Sequence, residues 1–164
     1  SSHERGTVIE VMGRNCGDIA LYAGLTGGAE GILIPEEPVD IDGICSTLIA
    51  GKKRGKLHSV ILRAEGVAIS SDELAKTITE RTGIDTKIVV LGYIQRGGSP
   101  TARDRLLASR MGYKAVELLL QEHMTSRAVG VRGDDIVSYD LEEALKMPKR
   151  HDRSLKELAA ILSI

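Results

Sequence analysis

Four short β-rich runs, each followed by a stretch with helical spacing, constrain this chain more than any other feature. The run 7–12 stops at Gly13, and Asp18 opens a helical stretch through Ile19, Tyr22 and Ala23 that breaks at Gly27 and Gly28. Gly31, Ile32, Leu33 and Ile34 lead to Pro35 as a continuous apolar run, the pattern of a strand buried on both faces. Ile41, Ile44, Cys45, Leu48 and Ile49 recur at helical spacing and end near Gly51 and Gly55. The third strand is 59–62. Ser70 and Glu73 have the spacing of a capping box ahead of Leu74 and Ile78, and the fourth strand is 87–92. Strand and helix alternating over short connections predict an α/β fold, a parallel βαβ (Rossmann-like) sheet covered by helices on both faces.

The second half departs from that rhythm. Residues 93–100 form a polar, glycine-rich loop. A long amphipathic helix then carries Leu107, Met111, Ala115, Leu118 and Leu119 on one face. The segments 128–131 and 136–139 predict a hairpin across Gly133, Asp134 and Asp135. Two closing helices are expected at 141–147 and 154–162.

Composition narrows the function classes. With 164 residues, 42% hydrophobic and 27% charged, the chain is long enough for one core and too apolar for disorder. Its net charge of −1 speaks against a nucleic-acid or membrane-surface partner. No apolar run approaches the roughly 20 residues that cross a bilayer. Cys16 and Cys45 are too few for a disulfide scaffold or a four-thiolate zinc site and fit a reducing cytoplasm. His3, His58, His123 and His151 lack metal-ligand spacing. There is no Phe or Trp, so the core must come from Ile, Leu, Val, Ala and Met. The opening 1–5 runs into a strand without an initiator Met, and a cut from a longer chain is expected.

Ligands of a parallel sheet bind beyond the carboxyl ends of its strands. After the first strand comes Met12-Gly13-Arg14-Asn15-Cys16-Gly17, and after the second Pro35-Glu36-Glu37-Pro38. Arg63-Ala64-Glu65-Gly66 follows the third, and Tyr93-Ile94-Gln95-Arg96-Gly97-Gly98 the fourth. Arg14, Arg63, Glu65 and Arg96 with glycine backbone between them suit a phosphate beside a hydroxyl, hence a phosphorylated polyol. The cluster Lys52-Lys53-Arg54-Gly55-Lys56 is explained by a helix end alone. No Walker-type loop, G-x-S-x-G or H-E-x-x-H is present, and no catalytic base for phosphoryl transfer can be singled out.

At those residues the sequence closely resembles the C-terminal half of the bacterial ATP-dependent 6-phosphofructokinases. The resemblance rests on Ser1-Ser2-His3-Glu4-Arg5, Glu10-Val11-Met12-Gly13-Arg14-Asn15-Cys16-Gly17 and Gly27-Gly28-Ala29-Glu30. It continues in Leu91-Gly92-Tyr93-Ile94-Gln95-Arg96-Gly97-Gly98-Ser99-Pro100, then Asp104-Arg105 and Ala108-Ser109-Arg110-Met111-Gly112. It weakens after about Lys149.

What the resemblance implies is a phosphofructokinase-type fold and a fructose 6-phosphate site. Met12, Gly13 and Arg14 are expected against the sugar and the transferring phosphoryl group, with Arg14 neutralising charge in the transition state. Glu65 is expected to accept sugar hydroxyls, and Arg96, with Tyr93, Ile94 and Gln95, to hold the 6-phosphate. Arg5 and Lys87 match positions that reach a neighbouring subunit's site. An effector site for ADP and phosphoenolpyruvate is implied at Gly28, Ala29, Glu30, Arg54, Lys56, Leu57 and His58, with Glu30 serving an effector-bound magnesium. This outweighs the helix-end reading of the basic cluster. Lys87 stands where the family usually has Arg, and Tyr93 where His is common.

The nucleotide loops, most ligands of the Mg2+ that accompanies ATP, and the catalytic Asp belong to the family's other half. The implied whole is a cytoplasmic, allosteric, homotetrameric glycolytic kinase. Segment 1–94 with about 146–164 is expected to form the sugar-phosphate and effector domain. Segment 95–145 is expected to pack on the nucleotide domain, leaving Leu107, Met111, Leu118 and Leu119 uncovered or paired with another copy without it. A pyrophosphate-dependent relative and a noncatalytic sugar-phosphate-binding module are the alternatives.

Overall fold

The computed structural model describes residues 4–121, 126–148 and 153–162, so His3, His123 and His151 lie outside the described residues. The chain divides into two compact units, Ser1–Arg96 with His151–Ile164, and Gly97–Arg150.

In the first unit, β1 (Arg5–Val11), β2 (Gly31–Leu33), β3 (His58–Ala64) and β4 (Asp85–Val90) form a parallel sheet in the order β2-β3-β1-β4. Between them run α1 (Asp18–Thr26), α2 (Ile41–Lys53) and α3 (Ser71–Thr82). The connection leaving β1 steps over β3 to reach β2, whereas the one leaving β3 crosses β1 to reach β4. Right-handed crossovers in opposite directions place their helices on opposite faces. Accordingly α2 packs with α3, and α1 packs with α6 (Arg153–Leu162), the last described helix.

The predicted alternation is therefore the observed one, with shifts at the ends. The third strand runs on through Arg63 and Ala64, and the fourth begins two residues before Lys87. Ser70 caps α3 by accepting from the Glu73 backbone N–H at 3.1 Å. Asp40 caps α2 from the Gly43 N–H at 2.8 Å.

The core contains no aromatic ring: Val8, Leu21, Ile34, Leu48, Ile61, Leu74 and Ile78 are its largest fully buried side chains. Branched aliphatics on both faces of the central strands interlock with Ala20 and Ala75 of the helices.

The second unit joins α4 (Ala102–Leu119) to a hairpin of β5 (Arg127–Arg132) and β6 (Asp135–Asp140), then α5 (Leu141–Lys146). Thr101 and Asp104 cap α4 reciprocally. The expected exposure of its apolar face needs correction. Leu118 is buried, and Leu107 and Met111 are half-buried on the same face of the helix. Of the residues expected to be uncovered only Leu119 is. The open stripe is Leu106, Tyr113, Val116 and Leu120, at helical spacing on the other side.

Candidate functional site

The site begins where β1 ends. Gly13 has φ +143°, and a Cβ there would lie 2.3 Å from the Cys16 carbonyl oxygen, so this position requires glycine. The Cys16 N–H closes the turn on the Gly13 carbonyl at 3.0 Å. Arg14 is the one described non-glycine residue with positive φ, at 51°. Left-handed backbone in a side-chain-bearing residue costs of order 1 kcal/mol and persists only where its surroundings enforce it.

Glu65 does the enforcing. Its Oε1 accepts from the Arg14 N–H at 2.6 Å and the Gly13 N–H at 3.0 Å, reaching across from the end of β3. The loop bearing Glu65 also approaches closely: a Cβ on Gly66 would sit 1.9 Å from the Arg14 carbonyl oxygen. From the other side Gln95 Oε1 accepts from the Met12 N–H at 2.9 Å. Gln95 lies in the 3-10 turn Gly92–Gln95 that follows β4, and the Leu91 N–H ties that turn to the Glu10 carbonyl at 3.1 Å. The turn after β1 is thus gripped by side chains from both neighbouring strands.

The same side chains define the electrostatics. The Arg14 and then the Gly13 backbone N–H groups hold the Glu65 carboxyl below its ordinary value, with the Arg14 and Arg96 guanidiniums adding to the effect. Glu65 is therefore a carboxylate, with Oε2 free of hydrogen bonds among the described residues. Arg96 stacks over the Tyr93 ring at 5.3 Å, and Tyr93 and Ile94 are 79% and 81% exposed. Among the described residues neither Arg14 nor Arg96 makes an ion pair. Two free guanidiniums beside one oriented carboxylate can take an anionic, hydroxyl-bearing ligand. They lie at the crevice where the connections leaving β1 and β3 part to opposite faces.

Met12, Gly13, Arg14, Glu65, Tyr93, Ile94, Gln95 and Arg96 thus gather at the carboxyl end of the sheet. Arg5 and Lys87 do not join them. Arg5 opens β1, seven positions before Met12, which is roughly 23 Å along a strand at about 3.3 Å per residue. Lys87 pairs in register with Thr7 and its ammonium meets Asp85 at 3.1 Å.

The second predicted set collects at the opposite end. Gly28, Ala29 and Glu30 precede β2, Arg54 caps α2, and Lys56, Leu57 and His58 lead into β3. Ala29 is buried, and its N–H bonds the Gly24 carbonyl at 2.9 Å. The Glu30 side chain is only 3% exposed. Its Oε1 pairs with the Lys56 ammonium and its Oε2 accepts from the Val60 N–H at 2.6 Å. Arg54, Leu57 and His58 are exposed around this closed pair. Within the basic cluster, Lys52 is paired with Glu4 at 2.6 Å.

One expectation is overturned. Arg63 does not lie in the ligand crevice: it is part of β3, 5% exposed, and its donors are spent inside the protein. Two carboxylates were missed by sequence reasoning. Glu36, three residues past the end of β2, accepts from the Gly17 N–H at 2.9 and 3.1 Å, just ahead of α1. Glu10 binds Arg63 at 2.8 Å and the Ser71 hydroxyl at 2.5 Å. For Glu10 the available signal was a charged residue inside each of two apolar strands, Glu10 in β1 and Arg63 in β3, since buried charges require partners.

The phosphofructokinase family model matches residues 1–119. This chain belongs to the phosphofructokinase family. It is 58% identical over 164 residues to the ATP-dependent 6-phosphofructokinase of Alkaliphilus metalliredigens, and 57% identical over 163 residues to that of Clostridium tetani. All of this chain is covered in the first match and 99% in the second, but it spans 51% and 50% of those relatives' own lengths. Among solved structures, phosphofructokinase from Saccharomyces cerevisiae superposes on 99% of the chain with TM-score 0.83 and 35% identity, using 23% of its own chain. A pyrophosphate-dependent phosphofructokinase from Marinobacter aquaeolei covers 93% of the chain with TM-score 0.74 and 25% identity, over 43% of its own chain. The phosphofructokinase fold expected from the motifs is the observed one.

Proposed function

We propose that this chain is the C-terminal half of an ATP-dependent 6-phosphofructokinase and supplies its fructose 6-phosphate site. The observation that carries the reading is the left-handed turn at Arg14, locked by the Glu65 carboxylate beside Arg96. Arg96 with Tyr93 and Ile94 holds the 6-phosphate. Glu65 Oε2 accepts a sugar hydroxyl, and Met12 and Gly13 lie along the sugar. Arg14 directs its charge at the transferring phosphoryl group, where charge neutralisation lowers the barrier. Gln95 acts through its side-chain oxygen, which accepts from and fixes the Met12 N–H.

The catalytic base, the nucleotide loops and most ligands of the ATP-bound Mg2+ come from the other half of the enzyme. The exposed stripe Leu106, Tyr113, Val116 and Leu120 is read as the surface that packs on that nucleotide domain. Arg5 and Lys87, distant along the strands from Arg14, serve the 6-phosphate of a neighbouring subunit in a cytoplasmic homotetramer.

The amino-end set is read as the site of ADP and phosphoenolpyruvate, by which this glycolytic kinase is regulated. Among the described residues no group of three His, Cys, Asp or Glu could hold a metal. A lone carboxylate suits magnesium only when phosphate oxygens and water complete its shell. Glu30 fits that role once Lys56 moves from the carboxylate to the effector's phosphate.

A coupled assay tests the reading. The complete chain turns over fructose 6-phosphate with ATP and Mg2+, whereas the 164-residue chain alone gives no turnover above blank. Turnover with pyrophosphate in place of ATP would assign the donor differently. Sugar-phosphate binding by a complete chain with no turnover would favour the noncatalytic module.

A further inference from the structure

A buried arginine, Arg63, lies in β3 two residues before Glu65, and it touches the crevice only through the Glu65 backbone carbonyl. Arg63 Nε donates to the Ile69 carbonyl at 2.6 Å. One terminal nitrogen donates to Glu10 Oε2 at 2.8 Å, and the other to the Val67 carbonyl at 2.9 Å and the Glu65 carbonyl at 3.5 Å. Ser71, the first residue of α3, donates to the same Glu10 oxygen at 2.5 Å. Glu10 and Arg63 are register partners on β1 and β3. One guanidinium therefore bonds three carbonyls of the loop 65–69 and anchors that loop to the strand carrying the Arg14 turn.

A buried ion pair adds little net stability over an apolar pair of similar volume, so stability alone is a weak account of its presence here. The planar fork holds several acceptors in fixed directions, which a lysine ammonium cannot do. The loop has few other ties: the Glu65 N–H bonds the Val11 carbonyl at 2.9 Å and the Val67 N–H the Ala64 carbonyl at 3.1 Å. We propose that Arg63 is a positioning residue for sugar-phosphate binding: it sets the height of the 65–69 loop so that the Glu65 carboxylate meets the Gly13 and Arg14 amides. The inference rests on the reading of the Arg14–Glu65 crevice as the fructose 6-phosphate site. It adds that the crevice is held from beneath by a clamp linking β1, β3 and the start of α3.

The test is a double-mutant cycle in the complete enzyme, using Arg63→Met, Glu65→Ala and the two together. Arg63→Met raises KM for fructose 6-phosphate about tenfold and leaves KM for ATP within about twofold, as displacement of one binding carboxylate should. In the Glu65→Ala background the same substitution changes KM by less than about twofold, because its target is gone. Arg63→Lys does not restore KM. Equal fold-changes in both backgrounds, rescue by lysine, or an unchanged KM for the sugar phosphate would overturn the proposal.

If Arg63→Met does not accumulate as folded protein, Glu10→Gln with Arg63→Met removes the stranded charge and replaces it in the cycle. Hydrogen exchange at the Gly13 and Arg14 amides provides an arm independent of activity. Exchange quickens in the Arg63 variant if the clamp holds the turn, and unchanged exchange contradicts it. An inactive wild-type enzyme with quickened exchange would sink the substrate reading while sparing the clamp.

Discussion

The two ends of the parallel sheet carry similar side chains in opposite states. At the carboxyl end the carboxylate, Glu65, is spent on backbone N–H groups, and the guanidiniums of Arg14 and Arg96 remain without ion pairs among the described residues. At the amino end the carboxylate, Glu30, is buried and paired with the Lys56 cation. The difference lies in what each carboxylate touches. An acid that binds amides shapes a turn and leaves neighbouring cations available to an anion. An acid that binds the cation itself closes the site until something displaces the pair. On this account the carboxyl end is built to hold a substrate, and the amino end to change state when an effector arrives.

The largest expected effect is at the open end. Arg96→Ala in the complete enzyme should raise KM for fructose 6-phosphate thirtyfold or more, since a charge-assisted bond to a phosphate is worth roughly 2–4 kcal/mol. Steady-state kinetics across a wide sugar-phosphate range measures it. An unchanged KM would break the contrast between the ends at once.

Gly66→Ala probes the turn rather than the charge. A Cβ placed 1.9 Å from the Arg14 carbonyl oxygen forces backbone apart, and such overpacking costs about 1–3 kcal/mol. Urea unfolding should show that loss. A neutral substitution would mean that the loop and the turn are not rigidly opposed.

Lys87→Arg has a smaller consequence, because Lys87 is exposed and far along the strand from Arg14. If it serves a neighbour's phosphate, the second guanidinium bond lowers KM with little change in kcat, by about 1 kcal/mol. A changed kcat at constant KM would place its action elsewhere.

The mildest test is pH. The folded-state pKa of Glu65 is depressed, so its hold on the turn is complete above the ordinary carboxylate value of 4.5 and is lost as pH falls through the depressed one. Amide exchange at Gly13 and Arg14, corrected for intrinsic rates, should therefore stay protected as pH is lowered to 4.5. Loss of protection above that value would show that another group holds the turn.

Sequence reading found the strands because period and apolar continuity are local, and it found the crevice because ligands of a parallel sheet meet its carboxyl ends. Arg14, Glu65 and Arg96 were legible for that reason. Arg63 was misplaced among them because the third strand runs two residues further than its apolar run suggests, carrying a charge into the core with Glu10 as its register partner. The Glu30–Lys56 pair was equally hidden. It joins a residue before β2 to one before β3, and spacing along the chain says nothing about which cation faces which acid. In the second unit the helical stripe was visible, but the side that is buried was not. Both faces of α4 carry apolar residues, and only the tertiary fold distinguishes Met111 from Val116.

The contrast between the ends is tested most directly by velocity curves against fructose 6-phosphate, with and without ADP, for the complete enzyme carrying Arg96→Ala or Lys56→Ala. Allostery is a coupling free energy, so removing an effector contact removes the shift that the effector produces. The account predicts that Arg96→Ala moves the curve to higher sugar phosphate whether or not ADP is present. It predicts that Lys56→Ala abolishes the displacement by ADP while turnover persists. Loss of turnover in Lys56→Ala with a normal response to ADP would contradict the assignment of the two ends.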